Sequence, residues 1–315
     1  ENPLLVSVRS GAAMSMPGMM DTILNLGLND KTVNGVAKQT GNERFAWDSY
    51  RRFVSLFGKI ALDVDDTLYD KAMNDLKKAK GAVQDTDLDA AAMKELSHTF
   101  IAITEKATGK PFPQCPMDQL RTAITAVFGS WMGRRAVDYR REFKITPEQA
   151  DGTGVSVCTM VFGNMGDTSG TGVAFTRDPA TGEKKLMGEF LMNAQGEDVV
   201  AGVRTPMPIA KMAEVMPAVY KQFQDICNTL ENHYRDMQDM EFTIEDKKLY
   251  MLQTRNGKRT AQAAIKIACD LIDEGMITEK EAIMQIDPKT LDALLHPQFD
   301  AKALKAATPV ANALP

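Results

Sequence analysis

Helical periodicity dominates residues 43–142 of the chain. Between Glu43 and Ala61 the large apolar residues recur every three or four positions, which is typical of an amphipathic helix with one buried face. The same spacing continues after short interruptions, and the acidic run DTDLD supplies a capping signal near residue 87. The helices that this periodicity predicts are 43–61, 67–80, 87–107 and 116–142. The Pro-rich segment Lys110–Pro116 breaks the series and marks a subdomain edge.

Strand-like runs flank this helical stretch on both sides. Short apolar runs bounded by glycine-containing loops or turns predict strands at Leu4–Ser10, Val155–Phe162, Gly172–Thr176, Leu186–Asn193, Met240–Glu245 and Leu249–Gln253. Further helices are predicted at about 209–233, 260–275, 278–286 and 288–295. The chain of 315 residues is too long for one simple core, so we expect two or three subdomains.

Composition and charge exclude several classes of function. Hydrophobic residues make up 44% and charged residues 25%, as in ordinary globular proteins, and no apolar run is long enough to span a bilayer. Lys and Arg number 37 against 42 Asp and Glu, and the net charge of −5 argues against a nucleic-acid-binding surface. The four cysteines form no CxxC pair, so a structural zinc site has no support. No GxSxG or HExxH motif is present to support a hydrolase.

Two glycine-containing loops follow predicted strands. The first comes after Arg9, whose guanidinium could fork onto phosphate oxygens while backbone N–H groups approach them. An arginine at a strand end is more often only a surface charge, and that alternative stays open. The second loop, Gly163–Gly172 (GNMGDTSGTG), suits phosphate or a mobile cover, yet it could equally be a long hairpin turn. No GxxxxGK[ST] motif occurs in the chain.

The predicted hairpin MEFTIEDKKLYMLQTR is a third candidate. If its turn spans three residues, Asp246–Lys248, then Glu241 faces Gln253 across the ladder, and strand alternation brings Arg255 near the same face. A carboxylate and a carboxamide oxygen suit Mg²⁺, and a guanidinium suits phosphoryl oxygens. With a two-residue turn the pair would fall on opposite faces, and the hairpin would be an edge with a solvated polar side. A fourth segment, Asn193–Pro206, holds Glu197, which could bind a ribose hydroxyl or a metal, or simply cap a helix.

Several long motifs, in the right order, resemble the N-terminal nucleotide-binding region of the pyruvate, phosphate dikinase family. They are SVRSGAAMSMPGMMDTILNLGLND, TMVFGNMGDTSGTGVAFTRDPATGE, NAQGEDVVAGVRTP and RDMQDMEFTIEDKKLYMLQTRNGKRTA. The resemblance runs almost end to end and is weakest near 60–110. It implies an ATP-grasp fold, with two α+β lobes closing on ATP and a helical insert. In the family, ATP phosphorylates a histidine of a separate swivelling domain, and this phosphohistidine then converts pyruvate to phosphoenolpyruvate.

The resemblance also implies roles for individual positions. Arg9 matches a phosphate-binding arginine, Glu241 and Gln253 match a magnesium-ligand pair, and Arg255 matches the arginine that steadies the transferring phosphoryl group. The Met16–Met20 loop, which contains Gly18, resembles the cover over the polyphosphate. The remaining nucleotide-binding positions are the adenine-facing strand residues Met160 and Val161 and the carboxylate of Glu197.

One departure from the family's sequence pattern bears on the affinity for ATP. Members of the family read GAR before the SMPG motif, whereas this chain has Ala13, so a second arginine on the phosphate side is missing. The resemblance begins after the family's glycine-rich lysine segment and ends before its phosphohistidine domain. We therefore expect a chain incomplete at both ends, with weak ATP binding and no complete reaction by itself.

The family pattern divides the chain into four parts. We expect a first lobe from 1–42 with 117–160, a helical insert over 43–116, a second lobe over 161–258, and a helical linker over 259–315. The resemblance further implies Mg²⁺ as cofactor and ATP, inorganic phosphate and a phosphohistidine domain as partners. It also implies a homodimeric parent. The expected location is the cytoplasm, although organelle forms of the family exist. A phosphoenolpyruvate synthase-like phosphotransferase and a non-catalytic nucleotide-binding module are the alternatives.

Overall fold

The computed structural model describes residues 3–200, 204–296, 303, 306 and 307, and leaves the side chains of Glu197, Val200 and Ala293 undescribed. The chain divides into two compact units, Glu1–Val161 and Phe162–Pro315. Helices and antiparallel sheets occur in both units, which agrees with the predicted α+β class. Among the described residues, no helix combines the length and apolarity needed to cross a membrane.

The first unit contains a three-stranded antiparallel sheet with the order β2-β1-β3. Its strands are β1 (Val6–Ala12), β2 (Thr22–Leu26) and β3 (Thr153–Thr159). Val8 in the central strand is fully buried, and its partner Ile23 is as well. Because side chains alternate along a strand, Arg9 points to the opposite face and is only half-buried. Strand β2 was not among the predicted strands, because its pairing with β1 is a tertiary contact.

Six α-helices are described in the first unit besides its sheet. They are α1 (Thr32–Thr40), α2 (Glu43–Ala61), α3 (Thr67–Lys80), α4 (Ala90–Thr108), α5 (Pro116–Gly129) and α6 (Arg134–Glu142). The predicted bounds of α2 and α3 are confirmed, and α4 begins where Asp89 accepts a hydrogen bond from the Ala92 amide at 2.8 Å. The core between α2 and α4 is aromatic, with Tyr50, Phe53 and Phe100 almost fully buried. This core accounts for the strong periodicity of the sequence.

The predicted single helix over 116–142 is wrong. The chain forms α5, a single 3₁₀ turn over Ser130–Met132, and then α6. Gly133 adopts an extended conformation with ψ 147°, which ends the helical path, and the Ser130 hydroxyl donates to the Val127 carbonyl at 2.7 Å. The apolar spacing continues through this corner, so periodicity alone could not show the break.

The second unit contains a five-stranded antiparallel sheet with the order β6-β5-β4-β7-β8. Its strands are β4 (Gly170–Phe175), β5 (Met187–Met192), β6 (Met207–Pro208), β7 (Gln238–Glu245) and β8 (Lys248–Asn256). One face packs Phe190, Met240 and Phe242 into a hydrophobic core together with Phe223. The rings of Phe223 and Phe242 lie 4.5 Å apart between centroids. The other face carries the polar residues of the candidate site.

The α-helices that the structure describes in the second unit are α7 (Gly196–Val200), α8 (Met212–Val215), α9 (Pro217–Tyr234), α10 (Ala261–Asp273), α11 (Glu279–Gln285) and α12 (Pro288–Leu295). The predicted continuous helix over 209–233 is wrong, because Met216 breaks it at φ −140° and ψ 65°. Met216 precedes Pro217, and a proline disfavours the helical conformation of the residue before it.

Helices α10 and α11 share a small core of their own with the sheet. Ala263, Ile267 and Leu271 of α10 are fully buried against Met237. Thr278 and Glu281 form a reciprocal capping box at the start of α11. These helices belong to the same compact unit as the sheet. The linker expected over 259–315 stays a prediction, and its residues 297–302, 304, 305 and 308–315 lie outside the described part of the chain.

Candidate functional site

The β7–β8 hairpin closes with two residues, so the expected three-residue turn is wrong. Glu245 pairs with Lys248, and the turn residues Asp246 and Lys247 have φ values of 44° and 63°. Two successive positive φ values are typical of a type I′ turn, whose twist matches that of the flanking strands. The segment Gly163–Gly172 holds this turn, since the Lys247 amide donates to the Thr168 carbonyl at 2.8 Å.

The expected pair between Glu241 and Gln253 is nevertheless confirmed. The ladder pairs Phe242 with Met251 and then Glu241 with Gln253, so Leu252 is an extra residue on β8. This β-bulge shifts the register by one and compensates for the shorter turn. Without the bulge, a two-residue turn would pair Glu241 with Leu252 instead.

Four polar side chains of the hairpin occupy two adjacent cross-strand pairs. Asp239 pairs with Arg255, and Glu241 pairs with Gln253. Met240, between the two acidic residues, lies in the core on the opposite side of the sheet. The hairpin therefore presents two carboxylates, one carboxamide and one guanidinium together on the face away from the core.

Ion pairs order the cationic part of this face. Arg255 Nε lies 2.7 Å from Asp239 Oδ2, and Arg255 Nη2 lies 3.7 Å from Glu241 Oε1. The side chain of Arg255 is 26% exposed and that of Glu241 is 32% exposed, so both remain within reach of a ligand. Sequence reasoning missed Asp239. The available signal was its position two residues before Glu241, which strand alternation places on the same face.

This donor set fits magnesium. Mg²⁺ takes hard oxygen ligands and usually binds proteins through one or two carboxylates while phosphate oxygens and water complete the shell. Glu241 offers a carboxylate, and Gln253 offers a carboxamide oxygen directly across the ladder. Within the described part of the chain, no group of three or more His, Cys, Asp and Glu side chains is placed to hold a metal.

The candidates of the first unit lie on its sheet and on the following loop. Arg9 pairs with Thr22 on one side and with Ser156 on the other, in the centre of the sheet. In the Met16–Met20 loop, Met16 is 6% exposed and Gly18 has φ 70°, a conformation that favours glycine.

Three predicted nucleotide positions differ from expectation or lie outside the description. The strand expected at Val155–Phe162 ends at Thr159, so Met160 and Val161 lie beyond it. The ladder stops there because its partner β1 begins at Val6, although the Met160 amide still donates to the Leu5 carbonyl at 2.9 Å. Glu197 belongs to α7, and its side chain lies outside the described structure.

Comparison with known proteins identifies the family. The family described as "Pyruvate phosphate dikinase, AMP/ATP-binding domain" matches residues 1–218 and 211–276. The chain belongs to this family. It is 64% identical over 317 residues to "Pyruvate, phosphate dikinase" of Entamoeba histolytica and 60% identical over 316 residues to that of Clostridium symbiosum. It is also 51% identical over 315 residues to "Pyruvate, phosphate dikinase 1, chloroplastic" of Zea mays.

The chain spans about a third of the length of these dikinases. Each match covers 100% of the chain, but only 36% of the first two relatives and 33% of the maize protein. The AMP/ATP-binding family covers the sheets and helices of both units as far as residue 276. The family assignment therefore concerns the part of the chain that carries the polar hairpin.

In this dikinase-family chain, a buried network fixes the end of β8 that carries Arg255. Gln238 is fully buried, its carboxamide oxygen accepts from the Thr254 hydroxyl at 2.9 Å, and its Nε2 donates to Asn256 Oδ1 at 3.1 Å. Just beyond the strand, Arg259 binds both carboxylate oxygens of Asp236 at 2.6 Å. The backbone on both sides of Arg255 is thus held by side chains.

A second buried cluster holds α9 and α10 against the same sheet. Arg177 is fully buried and lies 2.6 Å from Glu231 Oε1 and 2.8 Å from Glu274 Oε2. Burial opposes ionisation of Glu274, but hydrogen bonds from Arg177 and Lys184 outweigh it and hold the pKa of Glu274 below its ordinary value. For Arg177, burial acts against the charge, and the bonds to Glu274 and Glu231 raise its pKa overall.

Proposed function

We propose that this chain is the ATP-binding part of a pyruvate, phosphate dikinase and that the polar face of the β7–β8 hairpin binds the magnesium-bound phosphates of ATP. The observation that carries the proposal is the Glu241–Gln253 pair beside Arg255. Family membership supports the nucleotide, and the donor chemistry supports the cation. The proposal joins both in one site on the hairpin.

Each hairpin residue has a separate task in this proposal. Glu241 and Gln253 would hold Mg²⁺, which would neutralise charge on the phosphate oxygens. Arg255 binds phosphoryl oxygens through its guanidinium and stabilises charge that develops there. Asp239 holds the guanidinium at its Nε edge, 2.7 Å away, and so fixes the direction in which the guanidinium points. The chain thereby orients a cationic group before any nucleotide arrives.

The first unit contributes its own nucleotide contacts in this proposal. Arg9 would bind phosphate oxygens, the Met16–Met20 loop would cover the polyphosphate, and the backbone at Met160 and Val161 would contact adenine. The carboxylate of Glu197 would complete nucleotide binding. These roles rest on the resemblance and on the family match.

The full reaction belongs to the parent protein. We propose that it transfers phosphate from ATP to a histidine of another domain and on to pyruvate, with inorganic phosphate as second acceptor. A homodimeric parent in the cytoplasm or in an organelle is part of the same proposal. The alternative is a non-catalytic nucleotide-binding module, and the observation that favours it is Ala13, where members of the family have an arginine.

Calorimetric titration with a non-hydrolysable ATP analogue, with and without Mg²⁺, tests the hairpin site. Glu241→Ala and Arg255→Ala each remove a charge-assisted contact, so we expect affinity to fall by about 10- to 150-fold. The loss in Glu241→Ala should depend on Mg²⁺, and the loss in Arg255→Ala should persist without it. Lys248→Ala is the matched control, because Lys248 is an exposed cation on the same strand and lies 4.9 Å from the Tyr250 ring centroid.

The outcomes separate the proposal from its alternatives. Binding that weakens in both variants and not in the control supports the hairpin site. Binding that both variants retain would place the phosphates elsewhere and overturn it. If the unsubstituted chain binds no nucleotide, nucleotide binding by this chain is refuted, and the family assignment rests on sequence similarity alone.

A further inference from the structure

The Met16–Met20 loop is tied to the corner between α5 and α6. Arg135, at the start of α6, lies 2.7 Å from Asp21 Oδ1 and donates from Nη1 to the Gly18 carbonyl at 3.4 Å. The Asp21 amide donates to the Ser130 hydroxyl at 3.2 Å. These contacts join residues that lie more than a hundred positions apart in the sequence. One guanidinium therefore reaches both the middle and the end of the loop.

The anchor is built on a fixed support. Ser130 is 7% exposed, and its hydroxyl also donates to the Val127 carbonyl at the end of α5. At the other end of the loop, the side chain of Met16 is buried, and the Met19 amide donates to the Met16 carbonyl at 3.2 Å. Both ends are thus held, while Pro17 and Gly18 between them are exposed. The exposed tip is held only through the Gly18 carbonyl, which accepts from Arg135.

We propose that Arg135 is a positioning residue that sets the resting place of the Met16–Met20 loop through Asp21 and Gly18, and thereby sets nucleotide affinity. This inference rests on the proposed function of the loop as the cover over the polyphosphate. A loop held near its working position loses less conformational freedom when the ligand binds, so affinity rises without a new contact. Arg135 acts through the loop, and no contact between Arg135 and the nucleotide is required.

The neighbouring charges do not substitute for this pair. Arg134 is 95% exposed and lies 3.6 Å from Asp138, on its own helix. Arg141 also pairs with Asp138. Arg140 donates to the Trp131 carbonyl at 2.8 Å and stacks 3.9 Å from the Trp131 ring. The contacts of these cations stay within the corner and α6, whereas those of Arg135 reach the loop.

Hydrogen–deuterium exchange of the free chain tests the anchor independently of any nucleotide. In Arg135→Ala we expect faster exchange in peptides covering residues 14–21, by about two- to fivefold, because an exposed ion pair contributes modestly. Arg134→Ala removes the adjacent guanidinium and should leave exchange of the loop unchanged. Arg135→Lys should restore part of the protection, since an ammonium can pair with Asp21 but lacks the second arm that reaches Gly18.

Titration with the magnesium-bound ATP analogue tests the consequence. We expect Arg135→Ala to weaken binding by about two- to fivefold and the charge exchange Asp21→Arg with Arg135→Asp to restore part of the loss. If exchange and affinity both equal those of the Arg134→Ala control, the inference is overturned. If the unsubstituted chain binds no nucleotide, the proposed function fails. The hydrogen–deuterium exchange experiment then still tests whether Arg135 holds the Met16–Met20 loop.

Discussion

Replacing Arg177 by methionine should strongly destabilise the second unit. Arg177 is 0% exposed, and its partner Glu231 has a side-chain exposure of 6%, so the substitution leaves a buried carboxylate without its cation. Breaking a buried ion pair from one side costs about 3–5 kcal/mol, because the remaining charge keeps its desolvation penalty. For a unit of this size each kcal/mol lowers the unfolding temperature by about 2–4 °C, which predicts a drop of about 6–20 °C.

Thermal and urea unfolding followed by circular dichroism measure this loss. Lys184→Met is the control, since Lys184 bonds the same Glu274 at 2.8 Å but is 52% exposed, and it should cost less than about 1 kcal/mol. Adding Glu231→Leu to Arg177→Met removes the stranded carboxylate and should recover most of the stability. The reasoning would be refuted if Arg177→Met lowered the free energy of unfolding by less than about 1 kcal/mol. It would also be refuted if the double variant were no more stable than Arg177→Met alone.

The pH dependence of the free energy of unfolding is a second test of the cluster around Arg177. The pKa of Glu274 is lower in the folded chain than its ordinary value of 4.5. Its ion pairs therefore stabilise the fold fully above about pH 4.5, and this contribution is lost as the pH falls through the folded pKa. In the unsubstituted chain, the free energy of unfolding should decline as the pH is lowered from 7 to 3. In Arg177→Met that decline should be smaller.

Three further substitutions probe other parts of the chain. Asp239→Asn should weaken binding of the magnesium-bound ATP analogue about tenfold in calorimetry, because Arg255 loses its 2.7 Å ion pair; unchanged affinity would argue against a positioning role. Gly58→Ala places a methyl group 2.0 Å from the Tyr69 hydroxyl, so urea unfolding should show a free energy of unfolding lower by about 1–3 kcal/mol. Adding Tyr69→Phe removes that hydroxyl and should partly restore the stability. Lys247→Gly should raise the unfolding free energy by about 0.5–1 kcal/mol, since φ of 63° favours glycine; a lower value would contradict the turn geometry.

The sequence predicted the elements whose signals are local. The helix Glu43–Ala61 has an unbroken apolar period and a capping residue, Asn42, whose side chain accepts from the Phe45 amide. The break at Gly133 was missed because the apolar spacing runs through it. The five-residue strand Thr22–Leu26 was missed because its pairing with β1 is a tertiary contact that no local pattern shows.

The candidate site was predicted in its residues and only partly in its geometry. The pair of Glu241 with Gln253 was predicted from an assumed turn, whereas the structure forms it through a shorter turn and a bulge. The buried cluster around Arg177 gave no signal, because its acidic partners lie far along the chain, Glu231 in α9 and Glu274 just after α10. Long-range charge pairing of this kind follows from the fold and cannot be seen in a window of sequence.

Because of the bulge at Leu252, the number of residues between Glu241 and Gln253 does not by itself determine whether the two side chains lie opposite each other. The numbers of Glu241 and Gln253 differ by twelve, yet the ladder would form the same pair from a segment one residue shorter that lacked the bulge. Related hairpins can therefore gain or lose a single residue and keep the same two side chains opposed. A search for this arrangement in other chains should tolerate an insertion or deletion between the acid and the amide, and an alignment gap there is no sign of a lost site.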